Sequence, residues 1–274
     1  MSHHGVISLA QLRRADIHEA QLQELLAQGR LRRVARGWYA TPLALPDAVR
    51  AVSLRARLGC LSGCRAHGLW VPEFDGLHVI INPGAPVVTG PGIHCHRLKT
   101  VCHDAVAPVL DCVAHTIQRH DAETGLIVLE SAIDKGHVSL AEATTLFHEA
   151  PKRKLGTLAL FTQGPQSGSE TRVRLFLQRR NIPVRPQVLI PGVGRVDLLV
   201  GKSLIVECDS AAHHSRPRDH EEDRRRDLAA LGLGYRTIRL SYSQIWHSWE
   251  QTRGVLAAEL TTRRHLRPPI PRAA

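Results

Sequence analysis

The chain of 274 residues is short of aromatic side chains and of long apolar runs, and both shortages exclude classes of protein. Phe, Trp and Tyr make up only 4% of the residues, so an aromatic-rich sheet that would stack RNA bases is not indicated. No run approaches the roughly 18 consecutive apolar residues of a membrane span. The first residues, MSHHGVISLAQLRRAD, lack the basic and then apolar segments of a signal peptide. We therefore expect a cytoplasmic protein with no membrane partner.

Cysteine is also sparse, with six residues, and an apolar content of 43% can close a core without disulfides. In a cytosolic protein such thiols stay reduced or bind a metal. Two groups contain the residue types that bind zinc: Cys60, Cys64 and His67, and then His94, Cys95, His96, Cys102 and His103. Neither has a CxxC pair followed by a second matching pair. The sequence therefore favours buried thiols and scattered histidines over a zinc site.

Positive charge is what the chain has in excess. Its 36 Lys and Arg residues against 25 Asp and Glu give a net charge of +11. Residues 1–150 hold 14 basic and 14 acidic residues, whereas residues 151–274 hold 22 and 11. Within the neutral part, residues 1–57 contain nine arginines and only four acids. This distribution predicts two separate contacts with a polyanion, and DNA is the partner we expect.

The first basic region has the pattern of a winged helix-turn-helix. A short helix ending near Arg14 is followed by apolar residues at helical spacing, which end at Gly29, a natural helix C-cap. The segment RLRRVARGWYA then predicts a small β-wing. A solvated basic turn is the alternative, but the helical context favours phosphate contacts. We therefore predict a winged-helix DNA-binding domain over residues 1–44, with four candidate DNA-binding residues: Arg30, Arg32, Arg33 and Arg36.

This segment resembles the N-terminal winged-helix domain of antitoxins of the abortive-infection type IV toxin–antitoxin family. The resemblance covers some 40 residues and is carried by Leu12, the helix end at Leu22, Leu25 and Gly29, Leu31, and Arg36-Gly37-Trp38-Tyr39. It implies DNA binding, with autoregulation and a cognate toxin as further expectations.

Residues 45–150 are predicted to form a middle α+β module. Helices are expected between Leu43 and Leu69 and again from Asp111 to Ala150, with the strands GLHVIINPG and GIHCHRL between them. The order resembles the middle region of proteins that pair an antitoxin-like wing with a nuclease-like tail, and it implies that Cys60, Cys64 and His67 pack in a helix. No catalytic group is predicted here, and residues 151–168 are expected to be a linker.

Two apolar strands in the C-terminal part are interrupted by carboxylates. The strands GRVDLLV and SLIVECDS are joined by Gly201-Lys202, a hairpin signal. Alternation places Glu207 and Asp209 on one face of the second strand, with Asp197 of the partner strand within reach. Carboxylates gathered among apolar residues repel one another unless a cation lies among them, and hard oxygen ligands suit Mg²⁺. The sequence therefore predicts a metal site at these acids.

Two predicted helices flank these strands. Ser169 is expected to cap the first helix, and Glu170 in its first turn is either a capping carboxylate or a supporting acid of the site. The second helix contains Asp219, Asp223 and Asp227 along one face, together with Arg224, Arg225 and Arg226. Mixed-charge helices are usually just solvated. Its position beside the acidic strands favours arginines that bind the scissile phosphate or its neighbours.

The ordered series of these motifs resembles a family of domains related to the very-short-patch-repair endonuclease, within the PD-(D/E)XK nuclease superfamily. The match spans roughly residues 165–245 and is carried by Asp197, Glu207-Cys208-Asp209, His214, the run from Asp223 to Asp227, Leu228, Gly232 to Gly234 and Arg239.

The resemblance implies a restriction-endonuclease-like domain with a central mixed sheet over residues 169–262, followed by a basic tail, 263–274. It implies that Asp197, Glu207 and the backbone carbonyl of Cys208 bind Mg²⁺ or Mn²⁺, with Glu170 as the supporting acid. His214 is implied as a general base or orienting donor. The catalytic lysine of the superfamily falls at position 209, where this chain has Asp209.

Two functions follow for an α/β (α+β) protein of this organisation. The first is a metal-dependent DNA endonuclease, in repair or phage defence, that the winged helix targets to DNA. The second is a DNA-binding antitoxin or transcriptional regulator whose nuclease-like domain is inactive. Buried acids at Asp197 and Glu207 favour the enzyme, because an inactive domain has no reason to keep buried charges.

Overall fold

A computed structural model describes residues 4–99, 101–209 and 217–271, apart from a few side chains in 217–223. The chain divides into two compact units, Met1–Pro151 and Lys152–Ala274. Helices and strands mix in both units, and three separate sheets are present among the described residues. The predicted α+β class is confirmed. The helices described are all too short or too polar to span a bilayer.

The first unit begins with the predicted winged helix-turn-helix. Ser8 caps the first helix in a reciprocal capping box with Gln11. Ile7, Leu12, Leu22, Leu31 and Tyr39 form the small core beneath the two helices. The three strands pair antiparallel in the order β1-β3-β2. The elements are β1 (Val6–Ser8), α1 (Leu9–Arg14), α2 (Glu19–Ala27), β2 (Arg32–Ala35) and β3 (Trp38–Ala40).

A second sheet and five helices complete the first unit. Strand order is β4-β5-β6, with β4 and β5 antiparallel and β5 and β6 parallel. Val6 and Ala40 of the winged part share one buried cluster with Ala48, Val52 and Val79. The elements are α3 (Pro46–Ser53), β4 (Arg57–Leu58), α4 (Cys60–Ala66), β5 (Leu77–Ile81), β6 (Ile93–Arg97), α5 (Val109–Arg119), α6 (Ala122–Asp134) and α7 (Leu140–Glu149).

The second unit is built around a four-stranded mixed sheet. Its strand order is β10-β9-β8-β7, antiparallel except for the parallel pair β9 and β10. The elements are α8 (Leu155–Leu158), α9 (Gly168–Gln178), β7 (Val184–Ile190), β8 (Gly194–Val200), β9 (Leu204–Asp209), α10 (Pro217–Gly232), β10 (Arg236–Ser241), α11 (Tyr242–Trp246) and α12 (Trp249–Thr261).

Helices cover both faces of this sheet. Leu198 and Val206 pack with Val173 of α9 and Leu256 of α12 in one buried cluster. On the other side, Ile205 packs with Val196, Leu199 and Ala230 of α10. A sheet covered on both faces requires nearly continuous apolar strands, which explains the sequences of β8 and β9. Any carboxylate in the middle of these strands is therefore held away from bulk water.

The start of the second unit differs from the expectation of a linker and a Ser169 cap. Lys154 and Leu158 are buried, and the carbonyl of Leu160 accepts a 2.6 Å hydrogen bond from Arg174. The N-cap of α9 is Ser167, whose hydroxyl accepts the Glu170 N–H. The prediction that Ser169 caps the helix was wrong. The Ser169 hydroxyl instead accepts a hydrogen bond from the Trp246 indole.

Candidate functional site

The ladder between β8 and β9 opens at two acidic residues. Backbone pairing between the two strands extends from the pair Val200–Leu204 to the pair Leu198–Val206. At the next residues, backbone N–H groups bond to carboxylates in place of backbone carbonyls. The Asp197 N–H donates to Glu207 Oε2 (3.1 Å), and the Cys208 N–H donates to Asp197 Oδ2 (2.8 Å). Each carboxylate is thus held by a backbone amide of the opposite strand. Both are partly buried at the point where the two strands part.

Glu170 approaches the same point from the first turn of α9. Its Oε1 accepts the Ser167 hydroxyl (2.9 Å), and its Oε2 accepts the backbone N–H of Gln166 (3.1 Å). The residue is 4% exposed. A capping carboxylate and a supporting acid were alternative interpretations of Glu170, and its geometry has both features, since it lies at the helix start and next to Asp197.

Gln187 links Glu170 to Asp197. Its Nε2 donates to Glu170 Oε2 (2.8 Å) and to Asp197 Oδ1 (3.3 Å). Its backbone has φ +51°, a left-handed conformation that residues other than glycine rarely adopt. Gln187 has no local sequence signal that marks it as a site residue. It is revealed only by the pairing of β7 with β8, in which Pro186 pairs with Leu198 and Val188 with Val196, so that Gln187 and Asp197 lie between these two pairs.

The pKa values of both glutamates are raised. Burial, and then the charge of Asp197, raise the pKa of Glu170 to about 7. The same two causes raise the pKa of Glu207 to about 7, and the Arg226 guanidinium opposes that shift. Protons or a cation must therefore balance the charge at neutral pH. All three side chains offer oxygen donors, the ligand type that hard divalent ions such as Mg²⁺ prefer.

The three arginines of α10 fall into different environments. Arg226 Nη2 lies 3.4 Å from Glu207 Oε1, and the guanidinium also donates to the carbonyls of Val193 and Arg195. It is therefore anchored beside the acids. Arg224 and Arg225 are exposed, and Arg224 Nη1 lies 3.8 Å from Glu221.

Two further predicted site residues, Asp209 and Cys208, lie at the end of β9 beside this centre. Asp209 is exposed at the end of β9, and its Oδ1 lies 3.9 Å from Arg239 Nη1; Arg239 also bonds Asp227 at 2.8 Å. The Cys208 side chain is buried in the α9 core, where burial raises the pKa of its thiol well above the usual range. His214 lies outside the described residues, as do the side chains of Asp219 and Asp223.

The four arginines of the wing are brought to one small region of the first unit. Arg32 and Arg33 lie on β2, Arg36 is in the turn to β3, and Arg30 directly precedes the strand. All four are exposed. The Arg33 guanidinium lies 5.8 Å from the centre of the Tyr39 ring. These side chains can reach a phosphate backbone without first breaking a buried contact.

A second cluster of ligand-type side chains lies in the first unit. The ligand atoms of Cys60, His78, His96 and His120 all lie within 4.8 Å of one another. This set could not be predicted from sequence spacing because its members come from four elements. Only Cys60 and His96 appeared in the groups defined by spacing, and they fell in different groups.

Comparison with known proteins gives a family match at the winged part and structural similarity over a part of the chain. Residues 1–42 match a family described as "Transcriptional regulator, AbiEi antitoxin", which confirms the predicted resemblance over that segment. The catalytic domain of the homing endonuclease I-Bth0305I is similar over 36% of this chain and 97% of its own, at 19% identity and a TM-score of 0.31. No curated protein in the comparison matches. The function of the second unit is therefore inferred from its own residues.

Proposed function

We propose that the second unit hydrolyses phosphodiester bonds of DNA with a divalent metal ion, Mg²⁺ or Mn²⁺, and that the winged part of the first unit binds the DNA. The observation that carries the proposal is the convergence of Glu170, Asp197 and Glu207 where β8 and β9 part. Gathering one buried and two partly buried acids is costly, and a purely structural role does not offset that cost.

Asp197 and Glu207 are the proposed metal ligands, together with the backbone carbonyl of Cys208. An ion bound there would lower the pKa of a water molecule and offset the charge that develops on the phosphate. The chain's own contribution is to fix the ligands. The Cys208 N–H holds Asp197, and the Asp197 N–H and Arg226 hold Glu207. Preorganised ligands of this kind are what a hydrolytic site requires.

Glu170 is proposed as a positioning residue. Both of its oxygens already accept hydrogen bonds, from Ser167, Gln166 and Gln187. Through Gln187 it restrains Asp197 Oδ1. We assign the general base or orienting donor to His214. Asp209 stands where the related nucleases have a lysine, and its neighbour Arg239 supplies a positive charge close to that position.

Nicking of supercoiled plasmid tests the enzymatic proposal. We expect the full chain to nick plasmid with Mg²⁺ or Mn²⁺, and EDTA to stop the reaction. Asp197→Asn and Glu207→Gln should each lower the rate at least about 100-fold, the scale of losing a key electrostatic group. Glu250→Gln, the same kind of change on exposed Glu250 of α12, is the matched control and should keep full activity. A wild-type chain that is folded but inactive with both metals contradicts the proposal.

A second candidate function is a DNA-binding antitoxin or regulator with an inactive nuclease-like unit. The family match over residues 1–42 and the exposed wing arginines support it. If this is the function, the chain binds a DNA site tightly and does not nick DNA. Asp197→Asn should then leave DNA binding unchanged. Co-purification of a toxin with the tagged chain would support it further.

A further inference from the structure

The cluster of Cys60, His78, His96 and His120 has the dimensions of a metal site. Cys60 Sγ lies 3.2 Å from His120 Nε2, and His78 Nδ1 lies 3.4 Å from His96 Nε2. Ligand atoms around a tetrahedral zinc ion, bound at about 2.0–2.3 Å, are separated by roughly 3.3–3.7 Å. The four atoms already lie within 4.8 Å of one another. The two measured contacts are therefore close to the separations expected around one zinc ion.

We propose that the first unit binds one zinc ion through the Cys60 thiolate and one ring nitrogen each of His78, His96 and His120. Sulfur and imidazole donors select zinc over Mg²⁺ or Ca²⁺, which prefer oxygen. Four protein ligands leave no open position, so the proposed role is structural. This set differs in chemistry from the all-oxygen set of the second unit.

The fold presents these side chains from four elements to one place. Cys60 opens α4, His78 is on β5, His96 is on β6, and His120 follows directly after α5. The parallel register of β5 and β6 pairs His78 with His94, and alternation puts His96 on the same face. A bound ion would therefore tie two helices to the sheet and close a chain segment of about 60 residues, in the manner of a metal clip.

The surroundings of the ligands also suit an ion. Cys60 and His78 are buried, and His96 and His120 are partly buried. Cys60 has φ +50°, an unfavourable conformation that aims its thiol at the histidines. His78 is further oriented by a hydrogen bond with the backbone of Asp75.

Metal analysis of the full chain, purified and dialysed against zinc-containing buffer, tests the proposal. We expect about one zinc per chain. Cys60→Ser, His96→Gln and His120→Gln should lower zinc affinity by more than the roughly 10- to 100-fold loss that removal of an outer partner causes. Two matched control variants should keep the wild-type zinc affinity. Cys64→Ser alters a buried thiol one turn along α4, and His94→Gln alters the ring stacked on His78 at 4.5 Å.

Cobalt substitution gives a readout that separates ligand loss from misfolding. The wild type and Cys64→Ser should show a thiolate-to-cobalt charge-transfer band, and Cys60→Ser should lack it while retaining its circular dichroism. A folded wild type with no stoichiometric zinc and no such band overturns the proposal. Zinc retained equally by all three ligand variants, which would indicate other histidines, overturns it as well.

Discussion

At the scale of single residues, Gln187 combines an unfavourable backbone with a bridging side chain. Its φ of +51° costs about 1–2 kcal/mol relative to an ordinary strand conformation. In return, its amide holds Glu170 and Asp197 together. Strain of this kind persists only where the surroundings impose it, and it is frequent at functional sites. The same residue therefore affects stability and activity in opposite directions.

Replacing Gln187 with glycine should separate these two effects. Glycine adopts φ +51° freely, which offsets the loss of the amide hydrogen bonds, so the free energy of unfolding should stay within about 1 kcal/mol of the wild type. Nicking should fall at least about tenfold, because Glu170 no longer restrains Asp197. Urea unfolding and plasmid nicking measure the two quantities.

Asn181→Gly is the matched control for Gln187→Gly. Asn181 also has positive φ (+56°), but it is exposed after α9 and bonds none of the acids. The control should gain stability slightly and keep full activity. If Gln187→Gly keeps wild-type activity, the bridge has no functional role.

The raised pKa values of Glu170 and Glu207 predict how stability depends on pH in the absence of metal. Both groups have a folded pKa of about 7, above the ordinary value of 4.5. The folded chain therefore binds more protons than the unfolded chain between pH 4.5 and 7. Their contribution to stability is greatest at the acid end and is lost as pH rises towards 7. Added Mg²⁺ should restore stability at neutral pH.

Comparison with Glu170→Gln isolates this contribution. The depressed pKa values of His78 and His96 act in the opposite direction, because the unfolded chain takes up protons there as pH falls below 6.5. Both proteins share those histidines, so the difference between their unfolding free energies cancels that effect. The stability of the variant relative to the wild type should rise from pH 5 to pH 7.5. A constant difference would show that the Glu170 carboxyl is ionised throughout.

At the scale of elements, the sequence predicts individual strands better than their junctions. Alternation along β9 and the apolar context of Asp197 are local, so the acidic pair could be predicted. The opening of the β8–β9 ladder and the bridge by Gln187 depend on strand pairing, which no local pattern encodes. The histidine cluster was missed for the same reason, since His78, His96 and His120 meet only through the parallel pairing of β5 and β6 and the end of α5.

The wing is the element whose proposed DNA contact can be tested by salt dependence. Each arginine that neutralises a phosphate releases condensed counterions, and so contributes about 0.9 to the slope of log affinity against log salt. Arg32→Gln together with Arg33→Gln should reduce the slope by about 2 and weaken binding to all sequences alike. Fluorescence anisotropy across a salt series measures it. Arg253→Gln, at an exposed arginine paired with Glu250, should leave the slope unchanged. An unchanged slope in the double variant would remove the wing from the interface.

At the scale of the whole molecule, both units carry basic residues, and the acidic site lies in the second unit. Residues 151–274, which contain the three carboxylates, carry a basic surplus of 22 against 11, and one of these basic residues, Arg226, lies 3.4 Å from Glu207. The wing contributes a separate group of exposed arginines in the first unit. DNA can therefore contact both units, and loss of either contact should weaken binding without abolishing it.

This division predicts that binding and cleavage can be lost independently. The variant with Arg32→Gln and Arg33→Gln should need more DNA for half-maximal nicking but reach the wild-type rate at saturation, because the wing binds substrate and transition state equally. Asp197→Asn should bind DNA at least as tightly as the wild type, since it removes a negative charge, yet fail to nick it. Anisotropy and nicking on the same plasmid fragment give both quantities. A lower saturating nicking rate in the wing variant, together with weaker DNA binding by Asp197→Asn, would contradict the assignment of binding to the wing and of cleavage to the second unit.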